Sequence, residues 1–126
     1  MLFLGPAMVA HGEPALIINT GSKQGITTPP GNTAYNISKA ADFQLARNLA
    51  VELGPDNIRV NCIAPGLVKT DFARALWENP EALKRFSQKA PLGRIGEPDE
   101  IAGVALLEPD DRTAEAGGGV LDDQIA

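Results

Sequence analysis

The 126-residue sequence predicts an α/β fold built on a parallel sheet. Three observations predict it. Ala15-Leu-Ile-Ile-Asn-Thr20 and Ile58-Arg-Val-Asn-Cys-Ile63 are apolar runs rich in β-branched residues, without the alternation of a half-exposed strand. A long helical pattern lies between them. The order strand, helix, strand makes a βαβ unit, whose crossover brings the two strands side by side and parallel.

Taken in order, the apolar start, Met1 to Ala10, has no basic leader and falls short of the ~18 to 20 apolar residues of a membrane span. Ala7-Met-Val-Ala10 is only a superficial likeness to a signal core. The first predicted strand is Ala15–Thr20. Residues 21–33, rich in Gly, Thr and Pro, predict a loop. A helix is predicted from Thr33 to Leu53, with Ala41, Leu45, Leu49 and Leu53 as its core stripe and Ala46 and Ala50 widening it. Asp42, Arg47 and Glu52 fall away from that stripe. Gly54-Pro55 is predicted to stop the helix, Gly54 as a left-handed cap. Ile58–Ile63 is the second strand. Asn79-Pro80 predicts a capped helix running to Lys89. Glu97-Pro98-Asp99-Glu100 opens the last helix with acidic residues at its positive end, and Pro109 bounds it. Beyond Pro109 no strand is predicted, and 108–126 is read as an irregular tail, open to disorder. Two strands expecting cover on both faces, with few others to flank them, imply a part of a larger fold.

Composition narrows the function classes. The net charge is −5 and the eleven Lys and Arg are scattered, so no basic stripe is offered to nucleic acid. No membrane partner is expected either. Cys62 is the only cysteine, which excludes an intrachain disulfide and fits a reducing, cytoplasmic setting. With His11 remote along the chain, no metal site is expected. His11 is read as a surface residue and Cys62 as a small buried hydrophobe.

The chemistry concentrates between Ser22 and Lys39. Tyr35 and Lys39 are four positions apart and share a helix face. An ammonium beside a phenol favours the phenolate, and a tyrosine tuned in this way exchanges a proton with a carbinol or carbonyl oxygen. Ser22 follows the strand directly, where its hydroxyl can reach the same oxygen. All three belong at the carboxyl end of a parallel sheet, the usual ligand position of open α/β folds. Taken alone, a Tyr-Lys pair at this spacing is better read as an ordinary packed tyrosine with a solvated lysine.

The run Ile-Ile-Asn-Thr-Gly-Ser22, with Tyr35 thirteen positions on and then Lys39, resembles the Ser and Tyr-x-x-x-Lys signature of the short-chain dehydrogenase/reductases. The resemblance continues through Asn57-Ile-Arg-Val-Asn-Cys-Ile-Ala-Pro-Gly-Leu-Val-Lys-Thr70 and Pro91-Leu-Gly-Arg-Ile-Gly-Glu-Pro-Asp-Glu-Ile-Ala102, covering roughly residues 15–107. The ordered set is far more specific than any member alone. It implies a partial Rossmann-like, doubly wound parallel sheet, truncated at the N-terminus, with residues 1–107 as the C-terminal catalytic part. It implies hydride transfer between NAD or NADP and a small-molecule alcohol/carbonyl pair. Tyr35 would be the general acid/base. Lys39 would tune it and bind the nicotinamide ribose, and Ser22 would orient the substrate oxygen. Pro65, Gly66, Val68 (through its backbone) and Thr70 (through its hydroxyl) would line the nicotinamide end. Residues 71–94 would form the substrate segment, with Phe72, Leu76 and Trp77 as candidate contacts, although Trp77 reads first as a packing residue. By analogy the outer side of the long helix would build a homo-oligomer interface.

Departures accompany the match. The Gly-rich turn that receives the pyrophosphate, the residue that chooses NAD or NADP, and the family's catalytic asparagine have no counterpart in this sequence. The alternative expectation is therefore a non-catalytic remnant that cannot hold dinucleotide alone and serves as an oligomerisation partner.

Overall fold

The computed structural model describes residues 4–107 and 120–121. In chain order these form α1 (Leu4–His11), β1 (Ala15–Thr20), a 3₁₀ turn (Lys23–Gly25), α2 (Thr33–Leu53), a second 3₁₀ turn (Gly54–Asp56), β2 (Ile58–Ile63), α3 (Arg74–Trp77), α4 (Pro80–Lys89), α5 (Pro98–Leu107) and β3 (Val120–Leu121). The sheet order is β1-β2-β3, with both pairings parallel. The expected parallel α/β architecture is present, and β1, α2 and β2 have the predicted bounds.

The core lies between α2 and the sheet. Phe43, Ala46 and Leu53 of α2 meet Ile58, Val60 and Cys62 of β2 and Ala64 just beyond it, and Met8 of α1 packs against the same cluster. Cys62 is buried as expected, and His11 is exposed. β2 is central and well covered. β1, expected to be buried on both faces, is only half-buried along Ala15–Asn19, because its sole strand partner among the described residues is β2.

The face that α2 buries differs from the predicted one. Ala41 and Leu45 are exposed, while Phe43, Ala46 and Leu53 are buried, and Leu49 and Ala50 partly so. A strict four-residue repeat advances about 40° per step on a helix of 3.6 residues per turn, so the Ala41-Leu45-Leu49-Leu53 line winds from solvent into the core. The line Phe43, Ala46, Ala50, Leu53 alternates steps of three and four and stays on one side.

Three further corrections concern ends. Gly54 is not a left-handed cap; its φ of −55° and ψ of −42° carry the chain on into a 3₁₀ turn. The left-handed residue is Asn57, φ 58°, a type that tolerates that region. The tail is not devoid of strand, since Val120–Leu121 pairs with Cys62–Ile63. Two residues carry no periodic signal, and a run of glycines before them reads as loop. The bounding role of Pro109 and the rest of the tail lie outside the described residues. Lastly, α1 was not predicted. Gly5-Pro6 reads as a breaker, but a proline within the first turn of a helix forfeits no hydrogen bond.

The capped helices form as expected. Asn79 Oδ1 accepts from the N–H groups of Glu81 and Ala82, each at 3.0 Å, and Pro80 begins α4. Asp99 and Glu100 occupy the first turn of α5. No described helix is long and apolar enough to cross a membrane.

Candidate active site

The β1–β2 ladder does not stop where the strands stop. Gly21 N–H donates to the Ile63 carbonyl and Lys23 N–H to the Pro65 carbonyl, both at 2.9 Å. Ser22 therefore lies between two backbone bonds that tie its loop to the Pro65 loop. The two carboxyl ends of the strands are thereby held together as one surface.

Glycines on either side of Ser22 let α2 press against that surface. A Cβ at Gly25 would lie 2.6 Å from the Lys39 carbonyl carbon and 2.6 Å from the Phe43 ring. A Cβ at Gly21 would lie 2.9 Å from Cys62 Sγ and 3.1 Å from the same ring. No side chain fits at either place without displacement. The turn after Ser22 thus rests on the backbone of Lys39, which brings the serine loop against the helix that carries Tyr35.

Ser22 is buried, and its Oγ accepts from Gln24 N–H at 3.2 Å, capping the 3₁₀ turn. That bond uses a lone pair and leaves the hydroxyl proton free to donate to a ligand. Tyr35 is half-buried in the first turns of α2. The Lys39 ammonium stands 6.0 Å from the centre of the tyrosine ring. It donates to the Thr20 carbonyl at 3.1 Å and to Asp42 Oδ2 at 3.0 Å. Two acceptors leave one of the three ammonium protons for another ligand.

Several supporting residues were not singled out by sequence reasoning. Asn19 Nδ2 donates to the Asp42 carbonyl at 3.0 Å, linking β1 to α2 one turn beyond Lys39. Asn36 Nδ2 donates to the Pro29 carbonyl at 3.1 Å, fastening the 21–33 loop to the start of α2. Asp42 was placed on the solvent side of the helix, yet it is half-buried and paired with Lys39. Its i,i+3 spacing from a lysine already of interest was the available signal.

The loop Pro65–Thr70 is pinned from the other side. Val68 and Gly96 form a parallel bridge, in which Lys69 N–H donates to the Gly96 carbonyl and Gly96 N–H to the Leu67 carbonyl, each at 2.9 Å. Arg94 grips both oxygens of Glu100, at 2.8 and 2.6 Å, and Glu100 also accepts from Glu97 N–H at 2.8 Å. The Arg94 hydrogen bonds, with the Glu97 amide, pull the Glu100 carboxyl down to about 2. Pro65, Gly66 and Val68 are half-buried on this loop. The Val68 carbonyl accepts from Thr70 N–H at 2.9 Å. Thr70 Oγ1 accepts from Ala73 N–H at 3.4 Å, and the Thr70 carbonyl accepts from the Trp77 indole at 2.8 Å. Thr70 thus closes the turn that precedes α3, and its hydroxyl keeps a proton to donate. Trp77 packs partly buried, with Lys69 5.6 Å over its ring. Phe72 is 90% exposed.

These donors suit the nicotinamide end of a dinucleotide: one ammonium proton, one threonine proton and a backbone loop held at both sides. The turn that would receive the pyrophosphate has no counterpart among the described residues. Among those residues no three His, Cys, Asp or Glu side chains gather around a metal position.

Comparison with known proteins covers this same stretch. A family model described as enoyl-(acyl carrier protein) reductase matches residues 3–116. Human dehydrogenase/reductase SDR family member 4 is 41% identical over 99 residues, which are 79% of this chain and 35% of that protein. Galactitol 2-dehydrogenase (L-tagatose-forming) of Cereibacter sphaeroides is 40% identical over 119 residues, 93% of this chain and 46% of its own length. The structure of Pseudomonas aeruginosa RhlG in an NADP active-site complex superposes with a TM-score of 0.77 at 37% identity, covering 91% of this chain and 48% of that one. The chain therefore spans between a third and a half of the length of these three proteins.

Proposed function

The chain belongs to the short-chain dehydrogenase/reductase family, and from that premise we propose that it carries the catalytic half of an NAD(P)-dependent oxidoreductase acting on an alcohol/carbonyl pair. One observation carries the reading. The turn that follows Ser22 sits on the backbone of Lys39, with no room for a single carbon between them, so the serine loop and the Tyr35–Lys39 face form one wall.

A bound nicotinamide ring would supply or accept the hydride. The residues of this chain do the rest. Tyr35 gives a proton to the nascent alkoxide in the reductive direction and takes it from the alcohol in the oxidative one. Ser22 donates its hydroxyl proton to the same substrate oxygen, at a position fixed by the Gly21 and Lys23 backbone bonds. Lys39 directs its remaining proton to the nicotinamide ribose. Pro65, Gly66, the Val68 backbone and the Thr70 hydroxyl hold the carboxamide end. Phe72 and Leu76 stand exposed at the edge of this region, available to a substrate. A homo-oligomer formed through the outer face of α2 is part of the reading, since Ile37, Leu45 and Val51 are all exposed there. A reducing, cytoplasmic setting is also part of it, supported by one buried, unpaired thiol.

The test has two arms. In an active enzyme containing these residues, Tyr35→Phe lowers turnover by at least about a hundredfold and leaves cofactor affinity within about twofold. Retained turnover removes the acid/base assignment. For the chain itself, calorimetric titration with NADH and NADPH is expected to show dissociation constants above about 1 mM, because this sequence supplies no Gly-rich turn to receive the pyrophosphate. Micromolar affinity would show that this half suffices to hold the dinucleotide.

A further inference from the structure

Asp42 belongs to none of the roles assigned above, yet its carboxylate touches the cation at the centre of the site. The Lys39 ammonium lies between three neighbours: the Tyr35 ring at 6.0 Å, the Thr20 carbonyl at 3.1 Å and Asp42 Oδ2 at 3.0 Å. Helical side chains lean toward the N-terminus, so Lys39 left to itself inclines toward Tyr35, one turn earlier. Asp42 lies on the opposite side, three positions later, and draws the ammonium back. It is held in place independently, because its own carbonyl accepts from Asn19 of β1 at 3.0 Å.

We infer that Asp42 is a positioning residue, a tether that holds the Lys39 ammonium at the end of β1, 6.0 Å over the Tyr35 ring, and limits its swing toward the tyrosine hydroxyl. The inference rests on the functional reading above, in which Lys39 tunes Tyr35. Removing the tether acts twice in the same direction. The ammonium becomes free to swing toward the phenol, and its charge is no longer offset by a carboxylate beside it. Both changes favour phenolate.

Other charged or titratable groups face this region. Cys62 of β2, packed beneath α2, senses the pair directly. Burial raises its thiol most, the Gly21 N–H lowers it, Asp42 raises it, and Lys39 and Arg47 lower it. Lys23 lies on the 3₁₀ turn beside Ser22, whereas Arg59, opposite Leu16 near the amino end of β2, and Asp56, beyond the end of α2, lie away from the site. Replacing Asp42 removes one of the influences that raise the Cys62 thiol, while the charges of Arg47, Lys23, Arg59 and Asp56 stay as they are.

Tyr35 is the only tyrosine of the chain, so phenolate absorbance titrated against pH reports this residue alone and needs no cofactor. Asp42→Asn is expected to move the phenolate midpoint down by about half a pH unit, roughly a threefold gain in ionisation. Asp42→Ser, which removes the carboxylate with a different side chain, gives the same shift, and Asp42→Glu restores the original midpoint. Lys39→Gln moves the midpoint up. In the Lys39→Gln background Asp42→Asn has almost no effect, because seven helical residues separate Asp42 from Tyr35 by about 10 Å, a full screening length. An unchanged or raised midpoint in Asp42→Asn and Asp42→Ser overturns the tether while leaving the tyrosine assignment standing. An undiminished Asp42→Asn shift in the Lys39→Gln background also overturns it, since Asp42 then acts on the phenol directly. If Lys39→Gln itself leaves the midpoint unmoved, the lysine does not tune Tyr35, and the functional reading falls together with the tether.

Discussion

Two neighbouring regions of this molecule are built on different plans. Around Ser22 the bonds cross between elements distant in sequence: Gly21 to Ile63, Lys23 to Pro65, Asn19 to Asp42, Lys39 to Thr20. Across residues 71–93 they run between near neighbours: Arg74 to Asp71, Glu78 to Arg74, Asn79 to the start of α4, Gly93 to Ala90. The first plan costs the folding chain more loop entropy and repays it with fixed geometry. The second joins α3 and α4 to each other and leaves apolar side chains such as Phe72, Leu76 and Leu92 in solvent. No residue of this segment belongs to the buried core cluster, which makes it the readier of the two to open locally.

The strongest way to break this comparison is at Phe43. Its ring is 3% exposed, and it is the wall against which both Gly21 and Gly25 are pressed. Phe43→Ala should cost about 4 kcal/mol in urea unfolding of the chain. A loss below about 1 kcal/mol would mean that the serine loop is not held by packing at all. Gly25→Ala comes next. Its added carbon meets the Lys39 backbone, which cannot turn aside as a side chain could. About 2 to 3 kcal/mol is expected to be lost, together with ordered amide chemical shifts at Ser22 and Lys39. Unchanged stability would show that the turn can lift away without consequence.

How much of this was legible in the sequence follows the same division. β1, α2 and β2 could be read because continuous apolar runs and a long helical period survive translation into structure. Ser22, Tyr35 and Lys39 could be picked out because their spacing is itself the signal. What set them in place could not be read. Gly25 looks like any loop glycine until α2 is seen against it, and Asp42 looks like a solvent residue if the buried stripe is drawn through the leucines. The error over Ala41 and Leu45 came from following size and a fixed repeat, where the sheet accepted a phenylalanine and small residues instead. β3 left at most a faint echo in Gly119-Val-Leu-Asp122, because two residues have no period.

The staple between the two regions is pH-sensitive, and this gives a smaller effect. Glu100, bound by Arg94 and by Glu97 N–H, titrates near 2 in the folded chain, against an ordinary carboxylate value near 4.3 when unfolded. A depressed carboxyl stabilises fully above its unfolded value. That contribution fades as the pH falls from about 4.3 toward 2. Urea midpoints should therefore drop across this window, and Glu100→Gln should remove that part of the drop. The pair is open to solvent, so the change in slope is expected to be modest. A variant with the same acid limb as the parent would show that the Val68–Gly96 bridge holds without the staple.

The smallest expected effect makes the comparison sharpest. Phe72 exposes 90% of its surface, whereas Phe43, the same side chain on the other plan, exposes 3%. The transfer term that makes one phenylalanine worth several kcal/mol requires surface removed from water, and Phe72 removes almost none. Phe72→Ala should therefore shift chain stability by less than about 0.5 kcal/mol. In an active enzyme containing this half, the same substitution is expected to alter the apparent affinity for substrate while leaving that for cofactor unchanged. A stability loss above about 1 kcal/mol would place Phe72 in a packed environment and make the 71–93 segment an extension of the core. An unchanged substrate affinity would instead leave that exposed ring without a part in recognition, and confine the site to the wall formed by β1, α2 and the Pro65 loop.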